Sequence, residues 1–186
     1  MSFTDAHDLL ERLCNLLRTE LRAVGNEYGL QPVQLEALVF LCRCNRYSDT
    51  PQAVTEFLGL TKGTVSQTLK VLVQKGFLSK QGDTADKRVV HLKPTARGRR
   101  LVVRATPAKS LVGGFSELSG PEAGDTVAVL RRLLRTTQQA NGLKSFATCN
   151  SCRFNRREGA SHLCGLTLEP LSEQDILLLC REHEYA

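Results

Sequence analysis

The chain has 186 residues, 25 of them Lys or Arg and 19 Asp or Glu, with a formal charge of +6 and 41% hydrophobic content. That apolar fraction supports a packed core and excludes a disordered chain, while the length suits one domain with an appendage or two small domains. The longest apolar runs are only a few residues, too short for a membrane span, and the opening Met-Ser-Phe-Thr-Asp is unlike a secretory leader. A soluble, cytoplasmic protein without a membrane partner is expected.

Charge is unevenly placed. Residues 1–45 carry four basic and six acidic side chains, and residues 105–186 carry nine of each. Residues 46–104 carry twelve basic and four acidic ones, net +8. A basic block inside a folded region points to a polyanionic partner, with a solvated face as the plain alternative.

Along the chain, Phe3 to Ala23 is predicted to be a helix with Leu10, Leu13, Leu17 and Leu21 on one stripe. Cys14 lies beside that stripe and reads as a core or interface residue. Gln31 to Arg43 is a second helix burying Leu35, Leu38, Val39 and Cys42, with Pro32 in its first turn. Thr50-Pro51 caps a short helix carrying Val54, Phe57 and Leu58, and Gly59-Leu60 makes a tight turn. Thr61 caps the next helix, which runs to about Lys75 and stops at Gly76.

The period then changes. Residues 77–80 and 89–92 read as two strands joined by a charged loop over 82–88. Thr95 starts a helix to about Arg104, broken by Pro107, and Gly113-Gly114 marks a loop. The Ser119/Glu122 capping box opens a helix through Val127, Leu130, Leu133 and Leu134 to about Gln139, ended by Asn141-Gly142.

Two short helices, a tight turn and a basic hairpin are the order of a winged helix-turn-helix. In the second helix Val65, Leu69, Leu72 and Val73 must face inward. The opposite face offers Lys62, Gly63, Thr64, Ser66, Gln67 and Lys70, short or hydrogen-bonding side chains suited to base edges and phosphates. In the hairpin loop Lys87 and Arg88 suit an adjacent minor groove, and Asp86 is expected to orient Arg88 or a nearby amide.

The stretches Leu58 to Ser66, Leu72 to Leu78, Asp86-Lys87-Arg88 and Leu92 to Gly98 resemble the MarR family of winged-helix transcriptional regulators. The resemblance is close over residues 30–104 and loose in the flanking helices. It implies a mainly α fold with a small β-hairpin wing, dimerising through N- and C-terminal helices. Each subunit of the homodimer would offer one recognition helix to half of a palindromic double-stranded DNA operator, as a repressor or an activator. Gln67 stands where the family often has arginine, so base preference does not transfer. The implied division is a dimerisation helix at 1–29, the winged helix-turn-helix at 30–104, dimerisation helices at 105–142 and a cysteine-rich extension at 143–186.

Seven cysteines without a leader argue against a disulfide framework. Four of them crowd the tail: two residues separate Cys149 from Cys152, eleven separate Cys152 from Cys164, and fifteen separate Cys164 from Cys180. A CxxC turn aims two sulfurs at one point, and Cys164 and Cys180 would complete a four-thiolate shell inside a collapsed group of Leu163, Leu166, Leu168 and Leu171. Ser172 reads as the cap of a final helix carrying Leu177 and Cys180.

An iron–sulfur cluster tolerates one pair plus two single ligands. Zinc is the alternative, with Cys180 and His183 as a possible second knuckle or His162 as a ligand. A metal-free set of thiols is the third reading. Arg153, Arg156 and Arg157 beside the CxxC could touch DNA or lie on a solvated loop. No glycine-rich nucleotide motif or catalytic His/carboxylate group supports an enzyme, which leaves an electron-transfer protein as the rival from another class. Most MarR-like proteins respond to a ligand or oxidant, so the resemblance makes the tail a candidate sensor of redox state, oxygen or iron. Its place after the last dimerisation helix suggests that it shifts half-site spacing. With a purely structural zinc site, the sensor would instead be a small-molecule pocket between the domains or the thiols Cys14, Cys42 and Cys44.

Overall fold

A computed structural model describes residues 3–84, 86–159 and 161–186. Met1 and Ser2, which belong to the leader reading, and Ala85 of the wing loop lie outside the described residues, as does Ala160. The chain runs through α1 (Phe3–Glu27), α2 (Pro32–Arg43), α3 (Pro51–Leu58) and α4 (Lys62–Gln74) before the hairpin of β1 (Leu78–Gly82) and β2 (Val90–Pro94). It continues through α5 (Ala96–Ala105), α6 (Lys109–Ser116) and α7 (Gly120–Ala140) into an extension holding β3 (Asn155–Glu158), β4 (Ser161–Cys164) and β5 (Glu169–Leu171). No described helix is long and apolar enough to cross a membrane.

The local signals act where the sequence places them. Thr50 accepts from the Ala53 amide and Thr61 from the Thr64 amide, each satisfying an orphan donor of a helix start. Gly59 closes α3 in the left-handed region, at φ 64°, where a β-carbon is unfavourable. The hairpin is antiparallel, with Leu78 opposite Pro94 and Gly82 opposite Val90.

The main core gathers Leu35, Leu38 and Phe40 of α2, Val54 of α3, Val65, Leu69 and Leu72 of α4, and Phe77, Leu92 and Leu101 around the hairpin. Thr68 of α4 is also buried, a polar side chain on the inward face. Gly98 marks the closest approach in this core. A β-carbon there would lie 2.3 Å from the Phe77 carbonyl oxygen and 3.2 Å from Leu38 Cδ1. Beside it Arg97 donates to the Lys75 carbonyl oxygen at 3.0 Å and stacks over Phe77, so this arginine serves the fold.

Two expectations from the sequence are corrected. Gly113 and Gly114 lie inside α6 and form no loop. Glu20 of α1 reaches across to the N-terminus of α6, accepting from the amides of Lys109 and Ser110, so packing and a distant cap override two weak helix formers. In the tail, Ser172 does cap, accepting from the Asp175 amide, but it opens only a 3-10 turn over Asp175–Leu177. Cys180 follows as non-helical chain. The extension is instead built on a three-stranded antiparallel sheet in the order β3-β4-β5.

That extension folds back onto the winged helix. Phe146 enters the main core edge-on to Phe40 and Phe57, with ring centroids 5.8 and 5.3 Å away. Arg181 grips Glu56 of α3 with two bonds of 2.7 Å, and Lys144 adds a third contact at 3.2 Å, holding the Glu56 carboxyl down at about 2. The chain around Leu179 bonds to that around Arg43 and Asn45 in a short bridge. Arg135 and Gln138 of α7 hold the last residues from the other side.

The leucine stripes of α1 and α7 remain in water within one chain, with Leu13 at 47% and Leu134 at 55% exposure.

Gly98→Ala should cost about 1–3 kcal/mol or more, because the colliding atom is backbone. Urea unfolding of the two proteins measures it.

Candidate nucleic-acid interface and thiol cavity

The nucleic-acid candidate is one face of α4 and the tip of the hairpin. Lys62, Gly63, Thr64, Ser66, Gln67 and Lys70 are all exposed, while Val65, Leu69 and Leu72 turn inward. The Thr61 cap leaves this end of α4 open to solvent, where backbone amides and a positive helix end can meet phosphate.

At the wing, Lys87 and Arg88 are exposed. Asp86 accepts from the Arg88 backbone amide at 3.0 Å and grips its guanidinium at 3.0 and 2.9 Å. The paired arginine holds the Asp86 carboxyl below its ordinary value. The carboxylate thus acts as a splint for the exposed arginine.

Sequence reasoning missed the groups that fix the wing's base. Asp49, at 4% exposure in the loop after α2, accepts from Lys93 Nζ and bonds His91 Nδ1, each at 2.5 Å. The Leu92 amide donates to its carbonyl oxygen at 2.7 Å. His91 Nε2 meets Asp83 at 3.0 Å, and the two carboxylates raise the histidine pKa. Asp49 stands in a polar stretch, Asn45 to Gln52, and nothing there reveals a pairing with His91 across 42 residues.

In the extension, Cys149, Cys152 and Cys180 are buried and Cys164 is half-buried on β4. None of the seven cysteines is in a disulfide. All four tail thiols line one small, largely apolar cavity of about 40 Å³, together with Asn45 and Tyr47 of the winged helix. The CxxC pair sits on a 3-10 turn, Cys149–Ser151, closed by the Cys152 amide donating to the Cys149 carbonyl oxygen at 3.1 Å. Cys149 packs with Leu171 and Ile176, with Tyr47 against them. Leu166 lines the cavity, whereas Leu168 is 70% exposed and takes no part in the expected collapse.

Among the described residues, no group of three or more His, Cys, Asp or Glu side chains is gathered tightly enough to hold a metal ion as it stands. The four sulfurs share a cavity without closing on one point.

Burial pushes the Cys149 thiol up to about 12, with the neighbouring Cys152, Cys180 and Cys164 adding to the shift. Burial also raises Cys180, against a hydrogen bond from the Asn45 side chain. For Cys164 burial acts upward too, but hydrogen bonds from Thr167 and the Leu166 backbone outweigh it and bring the thiol below its ordinary value.

The histidines stay outside. His183 is buried with Nδ1 on the Ser145 hydroxyl at 2.6 Å and Nε2 on the Ser151 hydroxyl at 3.0 Å, so both ring nitrogens are engaged. His162 Nδ1 pairs with Asn155 at 3.0 Å. Neither lines the thiol cavity, which removes the Cys180–His183 knuckle.

An exposed helix face beside a basic hairpin defines a protein of the winged-helix class. Within it, residues 28–89 match the MarR family model. The chain is 27% identical over 142 residues to the organic hydroperoxide resistance transcriptional regulator of Bacillus subtilis, a match covering 74% of this chain and 97% of that one. Its fold is similar to that of a MarR transcriptional regulator from Methanosarcina mazei, at TM-score 0.61 and 18% identity over 74% of this chain and 99% of that one. It is also similar to the MepR–DNA complex of S. aureus, at TM-score 0.51 and 22% identity over 71% and 99%.

The His91 pairing gives a pH dependence of definite sign. Because its folded-state pKa is raised, its stabilisation is complete below the ordinary histidine value of about 6.5 and is lost as pH rises through the higher folded-state value. The difference in urea midpoint between the protein and His91→Gln should therefore shrink from about pH 5 to about pH 9.

Proposed function

We propose that the protein is a DNA-binding transcriptional regulator of MarR type, working as a homodimer on a palindromic duplex operator, whose affinity is set by a four-thiolate metal centre in its extension. The observation that carries the DNA reading is the conjunction of the exposed α4 face with a hairpin tip presenting Lys87 and a splinted Arg88. Phosphate contacts from Lys62, Lys70 and Lys87 supply affinity, and Gln67, with Thr64 and Ser66, reads base edges. Arg88 enters the minor groove, its fork held by Asp86. The resolved MepR–DNA complex supports this reading. So do the leucine stripes of α1 and α7, which a second copy would cover.

The metal reading rests on four thiols lining one cavity. Cys149, Cys152, Cys164 and Cys180 fit such a centre as donors, because thiolates bind both iron and zinc. When bound, such a centre ties the four sulfurs together and, as a cluster, adds a one-electron couple. An iron–sulfur cluster is the first reading, since one pair and two single ligands suit it. A single zinc ion is the second, favoured by the small volume of the cavity and the one-turn CxxC. Cys42 and Cys44 fit a sensor poorly: burial raises Cys42 to about 11 and Cys44 to about 12, which disfavours the reactive thiolate.

Selection from a random duplex pool should return a palindrome. Gln67→Ala should then cost about 1–3 kcal/mol and relax one base position. Lys70→Ala and Lys87→Ala should weaken binding to all sequences and lower the salt slope by about one each. A pool that returns no preferred sequence contradicts the reading and favours an electron-transfer protein.

Protein purified without oxygen should contain iron and acid-labile sulfide, and Cys149→Ser should remove both and change operator affinity. One zinc per chain and a colourless solution would select the second reading. Unchanged affinity without metal would reduce the centre to a structural clip.

A further inference from the structure

We propose that the Asn45–Asp49 loop transmits the state of the thiol cavity to the wing. This rests on the reading of that cavity as a metal centre, and it deepens that reading by naming how the centre would act on DNA binding.

The loop touches the cavity at one end and the wing at the other. On the cavity side, Asn45 lines the cavity with Cys180, and its backbone amide donates to the carbonyl oxygen of the neighbouring Leu179 at 2.9 Å. The Tyr47 ring lines the same cavity, and its hydroxyl accepts from the Thr167 hydroxyl, while the Thr167 backbone amide donates to Cys164. The Arg181 amide, next to Cys180, donates to the Ser48 hydroxyl at 2.8 Å, and that hydroxyl donates to Asn45 Oδ1 at 2.7 Å. On the wing side, Asp49 takes the Leu92 amide, His91 and Lys93, three consecutive residues of β2.

Asn45, Ser48 and Asp49 are each under 5% exposed. Among the described residues no buried side-chain polar atom lacks a partner. A network of this kind resists partial change, because a displaced partner leaves a desolvated donor or acceptor behind. The sulfurs share a cavity but are not gathered on one point, so drawing them onto a metal displaces the segments that carry them. The segment of Cys180 is tied to the loop through Leu179 and Arg181, and that of Cys164 through Thr167. The loop must follow or lose buried hydrogen bonds, and β2 is fixed to its far end. Thr50, the residue after Asp49, caps α3, so the helix packed behind the reading helix receives the same displacement. This route runs directly to the wing and bypasses α7.

Amide hydrogen exchange on the full chain tests this, comparing the protein carrying its purified metal with the same protein after chelation. The expected result is a change of about fivefold or more in exchange rate at residues 45–49 and 90–93, besides any change within 143–186. Ser48→Ala should keep the metal content of the parent and lose most of the change at 90–93. Asp49→Asn, which keeps the shape of the side chain, should do the same and serves as the second variant if Ser48→Ala does not fold. Changes confined to 143–186, or both variants transmitting like the parent, would overturn the proposal. Absence of metal in the parent, read by elemental analysis before any exchange measurement, overturns the metal reading itself and the transmission with it.

Discussion

A single buried carboxylate holds the wing of this molecule in register with the helices. The Asp49 carboxylate takes up Lys93 and His91 of β2, and its backbone carbonyl accepts the amide of Leu92 between them. Burying that charge without partners would cost several kcal/mol, so the strand must stay where its donors can reach it. The hairpin has only two strands, which by themselves are marginal in water. Its geometry relative to α4 therefore depends on this contact and on the Phe77 and Leu92 side chains packed beneath it.

The extension obeys a similar rule on a smaller scale. Its own core is little more than Cys149, Leu171 and Ile176, too few apolar groups to hold 44 residues. It borrows stability from its neighbour: Phe146 joins the main aromatic group, and Arg181 closes on Glu56 in a half-buried fork. Phe146 does so at φ 42°, a conformation disfavoured for a bulky residue and held here by the packing around it. The tail is thereby an integral layer of the winged helix, fused to the α2–α3 corner as well as to α7.

Much of the fold was legible in the chain because its signals are local. Thr50, Thr61 and Ser119 cap the helices they precede, and the change from a 3.6 to a 2 period after Gly76 marks the hairpin. What escaped is what depends on partners distant in sequence. Gly113 and Gly114 carry the propensity of a loop, and only Glu20, some 90 residues earlier, turns them into a helix. The strands β3, β4 and β5 are three or four residues each, too short for alternation to show, and a capped start at Ser172 was read as a full helix. The four thiols were found by type and spacing, which chemistry restricts. Asn45, Ser48, Asp49 and His91 were missed, because a buried polar residue looks in sequence like any surface one.

In the proposed homodimer, the leucines that α1 and α7 leave in water make concentration a thermodynamic variable for this protein. Covering those stripes stabilises the folded chain only when another molecule is present to do so, so dilution acts in the same direction as a denaturant. Two copies joined in this way also turn a second half-site contact into an intramolecular event, at an effective concentration far above that of free chains. The abundance of the protein, as well as any signal at its cysteines, would then decide how much of it is competent to read DNA.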